Sequence, residues 1–306
     1  MKYEPRTLQG TSARRVIAVL FLIAAGSRAA AQIPAQQIDF SSPEAWALKY
    51  FSSVSTFTAI GPPVLREAGS IDFGLEGGWV PYLSESKRRV GFGGTEREDL
   101  NKTPVFGRPR LTLGLPGGFS VEAAWVPPIT INGGKANLVA AAIERPFFVG
   151  DPGTLGLRLY GQLGHSKGDY TCSEDVVAQP PGSSGNPKSC DVRSQDSATL
   201  NNVGGALTGG VKVGGGGAVH FAVGATYHDL VFQVGALTAG VPDHTRLATH
   251  GWTGWVAAGA GFPLGKTASV AAEAYYSPLL VRRPPDTDTR NDGLFNVRAL
   301  LRFHLR

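Results

Sequence analysis

The chain has 306 residues, of which 41 are glycine and 17% are charged, and its formal net charge is +5. A mean hydropathy of −0.04 excludes a bundle of apolar transmembrane helices. It does not exclude a barrel, whose strands turn half their side chains toward a polar interior. Lys2, Arg6, Arg14, Arg15 and Arg28 fall within the first 31 positions with a single acid, Glu4, so the remainder carries only about +1 and gives no sign of nucleic-acid binding.

Residues 1–31 read as a secretory leader. Arg14 and Arg15 precede the apolar run 16–25, and the alanines at 29–31 offer a small-residue cleavage site between Ala31 and Gln32. The run is too short to span a bilayer as a stable helix. No cysteine follows it, which argues against a lipid anchor. Residues 32–68 form a separate N-terminal segment, periplasmic or acting as a plug. Ser42 as N-cap and Pro43 in the first turn predict a short helix bearing Trp46, Tyr50 and Phe51, packed on or inside the rest of the fold. The alternative is a further strand pair over 50–68, giving twelve strands instead of ten.

Residues 69–306 repeat one unit: about ten residues of apolar–polar alternation, then a turn. Ten strands are predicted, near 70–80, 105–115, 119–127, 136–147, 154–165, 200–213, 218–228, 250–262, 266–277 and, after loop 278–292, to the end. The last is the clearest. Phe295, Val297, Ala299, Leu301, Phe303 and Leu305 alternate with Asn296, Arg298, Leu300, Arg302, His304 and Arg306, nearly all polar or charged, so one face is apolar and the other cationic. Tight turns follow the second, fourth, sixth and eighth strands, and longer loops follow the odd ones. The pattern predicts an all-β, up-and-down antiparallel transmembrane barrel with its turns on the periplasmic side and its loops outside.

That frame assigns roles to side chains. Arg110, Glu122, Arg158, Glu273, Arg298 and Arg302 are expected in the lumen, as an ion-pair network or as the lining of a narrow charged path. Trp79, Trp125, Tyr227, Trp252, Trp255 and Tyr276 lie near outer strand ends, where an interfacial aromatic girdle belongs. Cys172 and Cys190, the only cysteines, share a polar loop of an exported chain and are expected to form a disulfide. The segment 260–267 fits a relaxed phosphate-loop pattern but is flanked by strand-like alternation. His228, Asp229, Asp243 and His244 are candidates for an acid–base cluster at the external rim, and Asp286, Asp288 and Asp292 for a cation loop; solvated polar residues are the better reading of both. No catalytic residue, metal or cofactor is assigned.

The stretches Thr103–Arg110, Gly114–Ser120 and Asp292–Arg298, together with the leader and the turn rhythm, resemble bacterial outer-membrane β-barrel proteins that have been left uncharacterised. The C-terminus departs from the usual pattern by ending Phe303-His304-Leu305-Arg306 instead of on an aromatic residue. The resemblance implies an outer-membrane location, lipid and the barrel assembly machinery as partners, a monomer, and no nucleic acid. Three functions are compatible: a narrow pore or transporter for small, anion-biased solutes; a closed structural or surface-interaction barrel acting through its loops; and a hydrolase at the external rim.

Overall fold

The computed structural model of the chain describes residues 34–305; the leader, the Ala31–Gln32 junction and Arg306 lie outside them. Ten antiparallel strands form the wall: β1 (Ile71–Trp79), β2 (Val105–Leu115), β3 (Phe119–Val126), β4 (Lys135–Val149), β5 (Gly153–Gly168), β6 (Asp196–Lys212), β7 (Ala218–Gln233), β8 (Arg246–Leu264), β9 (Ala268–Ser277) and β10 (Leu294–His304). Each pairs with the next, and β10 returns to β1 from Arg298↔Gly78 to His304↔Asp72, closing the barrel. Closure gives every wall strand a partner on both sides over at least part of its length.

Alternation sets which face is which. Along β10, Asn296 and Arg298 are buried in the interior, while Phe295 is 51% and Val297 42% exposed on the outside. Leu111, Leu157, Leu159, Val203, Leu207 and Val256 continue an apolar outer belt around the wall. In water such a belt would be a far larger exposed apolar surface than soluble monomers carry.

The tight connections fall where the rhythm places them. Pro116–Gly118 and Gly214–Gly216 are single 3-10 turns, and Gly117 at φ 80° takes a conformation that most side chains would resist. Residues 260–267 form the β8–β9 hairpin, with strand on both sides and no helix to complete a phosphate loop.

Strand lengths differ from the sequence expectation. β6 begins at Asp196 instead of 200, and β8 runs from Arg246 to Leu264 instead of over 250–262. Ladder pairing continues past the point where hydrophobic alternation fades, so polarity alone cuts these strands short. β4 to β8 are 15 to 19 residues long, against 8 to 11 for the other five. The wall is therefore tall on one side at the loop end.

The N-terminal segment lies inside this wall. Gln36 and Gln37 pair in parallel with Leu247 and Ala248 at the loop end of β8. Helix α1 (Pro43–Val54) follows, capped by Ser42, whose Oγ accepts from the Ala45 N–H at 3.2 Å. The chain then runs down the lumen. Thr56, Phe57, Thr58 and Ile60 are fully buried, Pro62 packs beside Gly210, and Leu65 beside Gly118 at the turn end, just before β1 begins. Tyr50 is helical and residues 55–68 form no strand, so the twelve-strand alternative does not hold.

Candidate functional site

The interior is built around residues 55–60. Arg298 donates to the carbonyls of Thr56 at 2.6 Å, Val54 at 3.1 Å and Ser53 at 3.2 Å. Arg108 donates to those of Ser55 at 2.9 Å and Thr56 at 3.2 Å, and Arg110 to that of Thr58. Thr58 Oγ1 donates to Glu273 at 2.6 Å. Strand-free backbone in a barrel interior must find partners somewhere, and here the wall arginines supply them.

Arg108 and Arg110, with Arg158, are also linked to one another through carboxylates. Arg108 grips Glu76 with Nε at 2.6 Å and Nη2 at 2.9 Å. Arg110 reaches Glu76 at 3.4 Å and Glu122 at 3.1 Å. Arg158 reaches Glu122 at 2.7 Å and Glu144 at 3.4 Å. The guanidinium carbons of Arg108, Arg110 and Arg158 surround the Phe57 ring at 4.8, 4.4 and 4.8 Å from its centroid. Three cations over one phenyl, each also ion-paired, combine cation–π attraction with charge neutralisation.

All six residues expected in the lumen face inward; Arg302 is the most open of them, near Asp72 at the turn end. Sequence reasoning missed Glu76, Arg108, Glu144 and Phe57. The three charged residues were available from strand parity, since each lies two positions from a residue that faces inward. Phe57 carried no such signal, because its segment has no periodicity.

Trp79, Trp125, Trp252 and Tyr276 face outward with substantial exposure, and Tyr227 is partly exposed against Trp252. Trp255 does not join them. It is 2% exposed and donates to the Tyr160 hydroxyl inside the barrel at 2.8 Å. Trp252 and Trp255 are three apart on one strand, so they occupy opposite faces.

The loop end carries a cap. Cys172 and Cys190 are joined in a disulfide. Loop 80–104 folds against α1, with Tyr50 donating to the Pro81 carbonyl and Glu44 accepting from the Gly93 N–H. The Trp46 indole donates to the Asp292 carbonyl at 2.9 Å and the Lys49 ammonium to that of Leu280 at 2.6 Å, which ties α1 to the last loop. Glu98 sits under this cap with Lys188 at 2.6 Å; burial raises its carboxyl to about 7 despite that partner. A cavity of about 430 Å³ lies between α1 and the loops, lined by Leu48, Phe51, Leu100, Tyr170 and Phe232.

The rim residues do not gather. His228 is fully buried beneath α1, where its ring joins Ser52 Oγ at 3.0 Å and Thr253 Oγ1 at 2.8 Å. Asp229 is exposed on the outer face of β7, and His244 is exposed in the loop before β8. His228 is thus a fixing point for the helix instead of a solvated rim residue, because even-numbered positions of β7 turn inward. Asp292 holds Lys87 at 2.6 Å and Arg283 at 3.2 Å, and Asp286 holds Arg290. Among the described residues no cluster of three metal-binding side chains forms.

The chain folds as a closed ten-stranded antiparallel β-barrel with an apolar outer belt. Solved structures with similar architecture include the outer membrane protease OmpT of Escherichia coli, at 12% identity over 78% of this chain and 94% of that one, TM-score 0.38. The translocator domain of the autotransporter NalP from Neisseria meningitidis matches at 13% identity over 79% and 89%, TM-score 0.40. The attachment invasion locus protein Ail of Yersinia pestis matches at 11% identity over 78% and 99%, TM-score 0.28. No family model and no curated protein sequence matches the chain.

Proposed function

We propose that this protein is a closed barrel of the bacterial outer membrane that acts at its loop-bearing external end and does not conduct ions along its axis. The carrying observation is the occupied lumen: residues 55–60 run through it, with Arg298, Arg108 and Arg110 bonded to their carbonyls. An anion could use the luminal arginines only by displacing both those carbonyls and the paired Glu76 and Glu122. Each such displacement leaves buried charges uncompensated, at several kcal/mol per ion. The leader-like N-terminus and the outward apolar belt support the membrane location.

The working surface in this reading is the cap. A disulfide, an ion-paired loop network and α1 hold it in shape, and such investment in loop order favours recognition over passive closure. Reconstituted in planar bilayers at single-channel resolution, the protein is expected to insert without a steady current. A sustained, anion-biased conductance would overturn this reading and restore the axial pore.

A further inference from the structure

Three ladders approach one place in the barrel wall, and one of them stops short. The β1–β2 ladder continues to Trp79↔Val105, and the β3–β4 ladder to Val126↔Leu138. The β2–β3 ladder between them ends at Arg110↔Ala124. Pro109 follows immediately on β2, and Pro127 ends β3. Neither has an N–H to donate, so neither can extend the ladder from its own side.

Where the strands part, a cavity of about 440 Å³ opens between them. Leu75, Val105 and Ile129 line its outer rim and are each about half exposed or more on the barrel's outside. Val54, Leu138 and Leu200 line its depth and are buried. The cavity therefore crosses the wall, from the apolar outer belt to the space behind the plug. Val105 pairs with Trp79 and Leu75 with Pro109, four residues and about 13 Å further down the strand, so the opening reaches from the aromatic level toward the hydrocarbon.

The buried charged residues beside it are already paired, and Lys135 at its edge is exposed to solvent. Glu76 and Arg108 hold each other in a bidentate pair, and Lys102 is held by Asp99 at 2.5 Å and Asp169 at 2.7 Å. The Phe51 and Tyr170 rings, 5.5 Å apart, stand between this cavity and the one beneath the loops. The surface left for a ligand is mainly apolar, with Ser55, Thr103 and Ser166 as its polar edge, in a volume within the roughly 300–1,000 Å³ usual for small-molecule sites.

We infer that the gap between β2 and β3 is the lateral mouth of a binding site for small, uncharged apolar molecules dissolved in the bilayer. The site goes beyond the closed-lumen reading and does not depend on it, since its entrance is in the wall and not on the axis.

The test uses the full mature protein in liposomes with trifluoromethyl-phenyldiazirine, a small apolar photoprobe, and maps the adducts by mass spectrometry. Adducts are expected on the buried Val126 and Leu138 as well as on the belt residues Leu157 and Leu159, with excess toluene suppressing only the buried ones. Leu138→Trp, which fills the cavity, and the pair Pro109→Val with Pro127→Val, which restores two ladder donors, are each expected to lose the buried adducts and keep those of the belt. Belt adducts in either variant also report an inserted barrel. Labelling of the wild-type protein confined to outward-facing residues would overturn the proposal, as would buried adducts unchanged in both variants. A lipid acyl chain that survives detergent exchange and blocks the probe would overturn the solute assignment.

Discussion

Arg298 on the closing strand and Thr56 in the lumen segment are 242 residues apart and joined by a 2.6 Å hydrogen bond from guanidinium to carbonyl. The strand that closes the barrel is thus fastened to the segment that fills it. Closure and plugging are coupled in this fold, because Arg298 shares with Arg108 and Asn296 the work of satisfying the carbonyls of 53–56 in a dry interior.

Replacing Arg298 with methionine keeps an unbranched apolar stem and removes every one of those donors. The carbonyls of Ser53 and Val54 lose their guanidinium partner, and a loss of about 3 kcal/mol is expected. The temperature at which the folded band converts to the unfolded band on a mild-detergent gel should fall clearly. An unchanged conversion temperature would mean the bond contributes little.

Serine at both Cys172 and Cys190 should loosen the cap without opening the barrel. The bridge closes a loop with a separation of 18 residues, worth roughly 3 kcal/mol if its effect is on chain entropy. Amide exchange should accelerate between 172 and 190 and remain slow in β5 and β6. Faster exchange throughout both strands would contradict this division.

The cap should respond to pH through Glu98. Its carboxyl lies at about 7 in the folded protein against an ordinary 4.5, because burial outweighs Lys188. A raised folded value contributes stability that is complete below the unfolded value and is lost as pH rises through the folded one. Amide protection around 96–102, corrected for intrinsic rates, should therefore decline between about pH 4.5 and 7 and level off above. Glu98→Gln, neutral at every pH, should flatten the profile; a wild-type profile already flat would contradict the assignment.

The two tryptophans of β8 should report opposite environments. In single-tryptophan variants placed in brominated-lipid vesicles, Trp252 should be strongly quenched and Trp255 spared, since one is 64% and the other 2% exposed on opposite faces of the wall. Equal quenching would contradict the inward orientation of Trp255.

What could be read from the chain before its structure depended on whether local pattern decided the outcome. β10 was legible because its alternation is broken only at Leu300, and tight turns such as Pro116-Gly117-Gly118 and Gly214–Gly217 because they leave the backbone few other choices. The girdle reading failed at Trp255 because proximity to a strand end was weighed without parity. The burial of His228 was missed for the same reason. The lumen segment was illegible in a different way: Ser55 to Pro63 has neither helical nor strand periodicity. Its place is set by Arg108, Arg110 and Arg298, each contributed from a distant strand, and no local signal carries that information.

The central claim is that residues 36–68 thread the barrel from one end to the other, and single-cysteine labelling tests it directly. In a background with Cys172 and Cys190 changed to serine, cysteine is placed at Gln36, exposed at the loop end, or at Ala68, exposed at the turn end. Intact cells are treated with a membrane-impermeant maleimide. Label at position 36 on intact cells, and at position 68 only after the outer membrane is permeabilised, is the result this structure predicts. Both positions reacting from the same side would mean the segment does not cross the lumen, and the closed-barrel account would fall with it.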